Sequence, residues 1–370
     1  MKTFLKTDEV EKEIYAIVGK YIPDNSTFEK PEKFKEFSII QVFYSILTIE
    51  QDRNAHSDYL EQLSLCAKTA LGENKGQKFI DYVSKSVESI DLENLLELHV
   101  KLCEIPQPYL ESFLVSKFGE TDSLGRVVLD LVSYFTKDKD NVKKADFDCA
   151  NSSFLQNCVR QDDKLTGYAS DRDDSFVKML MKQHVSRKNI DIKDQIYEMD
   201  KIVDSYDIVF LKKETDSIQN FMVSDGYPED IVCSESSLIL SMKVLKALSD
   251  TGKGFLILPK ATAFNDRAYS ARKYLIQNHY IEAVIDVNPS LSFTKTQYVI
   301  YVLSKNNKQI RMIDAYRENN SLSSEEIVSL FETDSSENSL ILSYEDINND
   351  YSLLVTSYLN RANYNCGKET

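Results

Sequence analysis

Apolar positions recur at helical spacing through the first third of the chain, then give way to short continuous apolar runs alternating with helices. Periodicity of three to four residues predicts helices over Glu9–Val18, Phe34–Ile49, Tyr59–Ala70, Lys78–Ile90 and Leu92–Cys103, with Pro106 and Pro108 breaking the pattern. Beyond about residue 118 a helix is expected at Leu124–Phe135, a first strand at Val142–Asp148 and a helix continuing over Leu155–Arg160. A second strand at Leu165–Ala169, a helix at Asp174–Val185, and strands at Ile190–Asp194 and Tyr206–Leu211 follow. The clearest stretch is Glu235–Lys305. There Leu238, Ile239, Met242, Leu245 and Leu248 mark a helix that Ser249–Gly252 should close. Gly254–Pro259 reads as a strand buried on both faces. A helix at Asp266–Asn278 and strands at Ile281–Val287, Gln297–Leu303 and Ile310–Ala315 complete the series. Such alternation implies right-handed crossovers and a mainly parallel sheet. Glu318–Asn338 is polar and reads as a surface excursion.

The pattern divides the chain into a helical N-terminal domain (residues 1–115), an α/β domain (116–320) and a C-terminal segment (321–370). Ten Gly and seven Pro in 370 residues leave little room for disordered linkers. Cys66, Cys103, Cys149, Cys158, Cys233 and Cys366 form no CxxC pair and no grouping with the four histidines, so they read as free thiols in a reducing compartment, with no metal site. The start, MKTFLKTDEVEKE, is too charged for a signal peptide, and no apolar run approaches ~18 residues. A cytoplasmic location is expected, without membrane contact.

Four segments of Glu235–Lys305 carry a family resemblance: Gly252–Pro259 (GKGFLILP), Ala271–Leu275 (ARKYL), Ile281–Phe293 (IEAVIDVNPSLSF) and Val299–Lys305 (VIYVLSK). In order and without gaps, they resemble the second half of the methyltransferase domain of adenine-specific DNA methylases, the modification subunits of type I restriction systems. The tail from Ile347 through Tyr351 and Leu353 to Tyr358 is similar to a short element near the end of the same subunits. The resemblance implies a class I methyltransferase-like (Rossmann-like) sheet, with S-adenosylmethionine over the carboxyl ends of the first strands.

At the positions that would hold cofactor and base, the residues depart from the family pattern. A cofactor loop of the form DPxCGSGxF corresponds to Asp146–Phe154, DFDCANSSF, in which Gly-Ser-Gly becomes Ala150-Asn151-Ser152. Glycines let the backbone approach a ligand where a Cβ would collide. The acid expected at the end of the second strand, which accepts bonds from the ribose hydroxyls, is Ala169, with Asp171 nearby. A catalytic (D/N)PP(F/Y) loop is expected after the fourth strand, where side chain and carbonyl accept bonds from the adenine amine and the aromatic stacks on the flipped base. This chain has Lys212-Lys213-Glu214-Thr215 there. Lysine offers only donors and positive charge. Ahead of the first strand Gly119, Glu120, Val127 and Val128 match a GExYTPxxVV frame, while Asp122-Ser123-Leu124 replaces its Tyr-Thr-Pro.

Scaffold positions match and contact positions do not. The chain therefore reads as a catalytically inactive relative acting as a structural or regulatory subunit of a restriction-modification or defence assembly. The alternative is an active, divergent DNA adenine methyltransferase using Asp146, Asn151, Ser152 and Asp171 for S-adenosylmethionine. A net charge of −15 argues against strong duplex binding by this chain alone and for DNA contact through other protein subunits. His184 lacks a nucleophile motif and reads as a packing histidine, and Asp286-Val-Asn-Pro-Ser290 as a structural turn. No P-loop, zinc pattern or nucleophile elbow occurs.

Overall fold

The computed structural model describes residues 7–22, 31–51, 58–118, 123–149, 154–158, 163–169, 173–194, 202, 206–213, 236–287, 296–316, 322–333 and 335–366. Among the described residues, seven α-helices precede the first strand: α1 (Thr7–Tyr21), α2 (Pro31–Glu50), α3 (Tyr59–Leu71), α4 (Glu73–Val87), α5 (Leu92–Cys103), α6 (Gln107–Phe118) and α7 (Ser123–Phe135). The chain folds into two compact units. One holds residues 1–120 together with 172–188, the other 121–171 together with 189–370.

The first unit is helical and centres on α2, which is buried almost continuously from Phe37 to Thr48. A helix apolar on all sides must be surrounded. Its interior hydroxyls are satisfied by back-bonding: Ser45 Oγ donates to the Gln41 carbonyl (2.9 Å) and Thr48 Oγ1 to that of Tyr44 (3.1 Å). Two boundaries differ from expectation. Pro108 lies inside the first turn of α6, where no helical N–H is required, so it starts a helix rather than ending one. Helix α4 begins at Glu73 instead of Lys78, directly after Gly72 turns the chain with φ +82°. Gly76 then passes so close to α3 that a Cβ would stand 2.8 Å from the Ala67 carbonyl oxygen.

His99, on α5, is fully buried and stacked on Tyr44 (4.0 Å between centroids). Its Nδ1 lies 3.3 Å from Ser45 Oγ and its Nε2 3.2 Å from Thr48 Oγ1. Burial pushes its pKa down to about 4 from 6.5. The folded state thus keeps His99 neutral while the unfolded chain takes up a proton below about pH 6.5. Stability from this residue is complete above pH 6.5 and is lost as the pH falls towards 4, by roughly 3 kcal/mol in all. The difference in urea stability between the wild type and His99→Gln should shrink over that pH interval. A constant difference would contradict neutral burial.

The second unit is built on one sheet of nine strands. These are β1 (Lys143–Asp146), β2 (Lys164–Ala169), β3 (Ile190–Asp194), β4 (Tyr206–Lys212), β5 (Leu248–Pro259), β6 (Ile281–Asp286), β7 (Tyr298–Leu303), β8 (Gln309–Asp314) and β9 (Ser339–Ser343). Their order is β3-β2-β1-β4-β5-β7-β6-β8-β9. The first five positions pair parallel, β7 runs antiparallel between β5 and β6, and β9 is antiparallel at the edge. Both faces of β7 are buried, as its unbroken apolar run requires. Helix α8 (Asp173–Ser186), between β2 and β3 in sequence, belongs to the helical unit. The unit also contains helices α9 (Ser241–Ala247), α10 (Tyr269–Gln277), α11 (Ser324–Ser329) and α12 (Val355–Cys366), besides short 3-10 turns.

Several details of this unit depart from the sequence reading. Ser249–Gly252 does not close a helix. It is a bulged start of β5, since Tyr206 pairs with Leu248 but Ile208 with Lys253. Phe154–Asn157 is a turn, not a helix. The polar stretch 318–338 contains α11, with a Ser323/Glu326 capping box, a buried Ile327, and Phe331 edge-on to Phe135 at 5.3 Å. The strand β9 that follows it has its outward N–H groups occupied by the chain itself. Ile341 donates to Ser335 Oγ and Ser343 to Asp346 Oδ2, which blunts the sheet edge.

The tail folds into the core of this unit: Leu353, Val355 and Tyr358 are buried with Ala263, Ala271 and Leu275. Arg272 is the joint. It is 1% exposed, and its guanidinium donates to the carbonyls of Thr262 (3.1 Å), Asn265 (2.7 Å) and Tyr351 (2.9 Å), the last in left-handed backbone at φ +51°. Among the cysteines whose side chains are described, Cys66, Cys103, Cys149 and Cys158 form no disulfide. Among the described residues no helix is long and apolar enough to cross a membrane.

Candidate functional site

Strand order reverses between β1 and β4: the chain leaves β1 for β2 and β3 on one side, then returns to β4 and β5 on the other. Open sheets of this kind bind ligands outside the carboxyl ends of the strands at such a switch point. Ala169, Asp146, Lys212 and Pro259 end β2, β1, β4 and β5 along that edge.

Asp146 is fully buried, and its Oδ1 accepts the Asp148 backbone N–H at 3.0 Å, an Asx turn that folds the chain back at the end of β1. Phe147, next in the turn, donates its N–H to the Phe210 carbonyl (2.9 Å) and packs edge-on to Tyr168 at 5.1 Å. Asp148, 4% exposed, accepts a 2.7 Å bond from Lys213 Nζ. This ion pair spans the switch point, joining the turn after β1 to the residue after β4. The Lys213 N–H donates to Ile257 O (2.9 Å), so the β4–β5 ladder fixes its backbone. Lys212 Nζ lies over the Tyr298 ring at 5.7 Å. Phe154 stacks on Phe210, centroids 4.8 Å apart. Ala169 is buried and carries no polar group to the end of β2.

Further along the edge, Lys260 pairs with Asp286 at the end of β6. Burial raises the Asp286 carboxyl above its ordinary range, against the opposing pull of Lys260. Among the described residues no three His, Cys, Asp or Glu side chains are grouped to hold a metal ion.

The structure thus places Asp146, Lys212 and Lys213 on one edge of the sheet. Asn151, Ser152, Asp171, Glu214 and Thr215 lie outside the described residues. The Asp148–Lys213 pair was not foreseen, because its members are 65 residues apart and meet only through the β1–β4 pairing.

This sheet, with its antiparallel β7 between β5 and β6, defines a class I methyltransferase-like fold. Residues 195–365, just under half the chain and running from before β4 into α12, match the N-6 DNA Methylase family. The likeness in structure extends further. The type I restriction-modification methyltransferase subunit from Streptococcus thermophilus superposes with a TM-score of 0.63 at 13% identity, over 93% of this chain and 98% of that one. A modification subunit of a candidate type I restriction enzyme from Vibrio vulnificus gives 0.62 at 9% identity, over 95% and 96%. At such identities the likeness is one of fold. No curated protein matches the chain by sequence.

Proposed function

We propose that the chain is a catalytically silent relative of the adenine-specific DNA methylases, serving as a structural or regulatory subunit of a restriction-modification or related defence assembly. The observation that carries this reading is the Asp148–Lys213 ion pair across the switch point. S-adenosylmethionine, the cofactor that the fold implies, meets a poorly fitting set of described residues. Asp146 Oδ1 is engaged by its own turn, Ala169 offers no acceptor to a ribose, and the residues after β4 present ammonium groups. An ammonium cannot accept a bond from an adenine amine, and it opposes the positive charge that develops on that nitrogen during methyl transfer. The net charge of −15 supports DNA contact through partner subunits rather than through this chain alone. Buried cysteines that form no disulfide support a reducing, cytoplasmic setting.

The active reading rests on Asp146, which ends β1 where the family's acid stands, with Asn151, Ser152 and Asp171 as its further cofactor contacts. A methyl-transfer assay separates the two. With labelled S-adenosylmethionine and unmodified DNA, the silent reading expects no incorporation above the protein-free control. Incorporation that Asp146→Ala abolishes would establish the active one.

A further inference from the structure

We draw no further inference here: the strongest candidate, the exposed aromatic patch of Phe264 and Tyr269 on the surface between β5 and α10, carries nothing because nothing in the structure shows what covers it.

Discussion

Arg272→Met should cost the α/β unit about 3–5 kcal/mol of stability in urea unfolding, the largest effect expected of any single substitution here. The side chain is buried, and its guanidinium donates to three carbonyls from separate segments: Thr262 and Asn265 after β5, and Tyr351 in the tail. Methionine fills much of the volume but leaves those acceptors without a donor, each costing about 1–3 kcal/mol. Tyr351 holds left-handed backbone at φ +51°, a conformation that a non-glycine residue keeps only when its surroundings impose it. Releasing its carbonyl should therefore loosen the tail as well, seen as faster amide exchange at Leu353, whose N–H bonds Ala263 O at 2.8 Å. Arg272→Lys should recover only part of the loss, because one ammonium cannot span the three carbonyls. A loss below about 1 kcal/mol for Arg272→Met would contradict its role as the joint between tail and sheet.

Lys213→Met should cost about 3 kcal/mol, for a different reason. Asp148 is 4% exposed, and replacing the ammonium 2.7 Å away takes a compensating cation from a carboxylate in a site with little water. Asp148→Asn should cost less, since a neutral amide can still share a bond with the lysine. The double variant Asp148→Asn/Lys213→Met should lose well less than the sum of the two single losses, with a coupling of about 2–3 kcal/mol in a double-mutant cycle. Additive losses would mean that the two groups do not depend on each other, and the clasp across the switch point would lose its meaning.

The sheet was legible because strands buried on both faces are unbroken apolar runs: Gly254–Pro259, Ile281–Val287 and Gln297–Leu303 admit few other readings. Elements whose signal is local chemistry rather than hydrophobicity were harder. Pro108 looks like a helix breaker until it is known to occupy a first turn. Among its described residues, the stretch 318–338 hides one buried anchor, Ile327, among serines and acids. Ser249–Gly252 has turn composition but lies in a bulged strand, with Gly252 so close to Tyr206 that a Cβ would meet its carbonyl oxygen at 2.6 Å.

The candidate site shows the same division. The strand read at Tyr206–Leu211 puts Lys212 and Lys213 just past a carboxyl end, whereas the pattern runs the first strand to Asp148 and only the family resemblance sets Asp146 at its end. That Asp148 meets Lys213 depends on β1 and β4 being neighbours, a fact of sheet order and not of local pattern. The family match from residue 195 to 365 falls on the part of the chain that carries the resemblance in sequence; β1, β2 and β3, which form half of the candidate site's edge, lie before it.

The most direct test is a calorimetric titration of S-adenosylmethionine into the folded chain. A silent methyltransferase fold, with Lys213 clasped to Asp148 and Ala169 at the end of β2, should give no saturable heat, placing any dissociation constant above about 1 mM. One-to-one binding tighter than that would contradict the account and restore Asp146 to the role of a cofactor ligand.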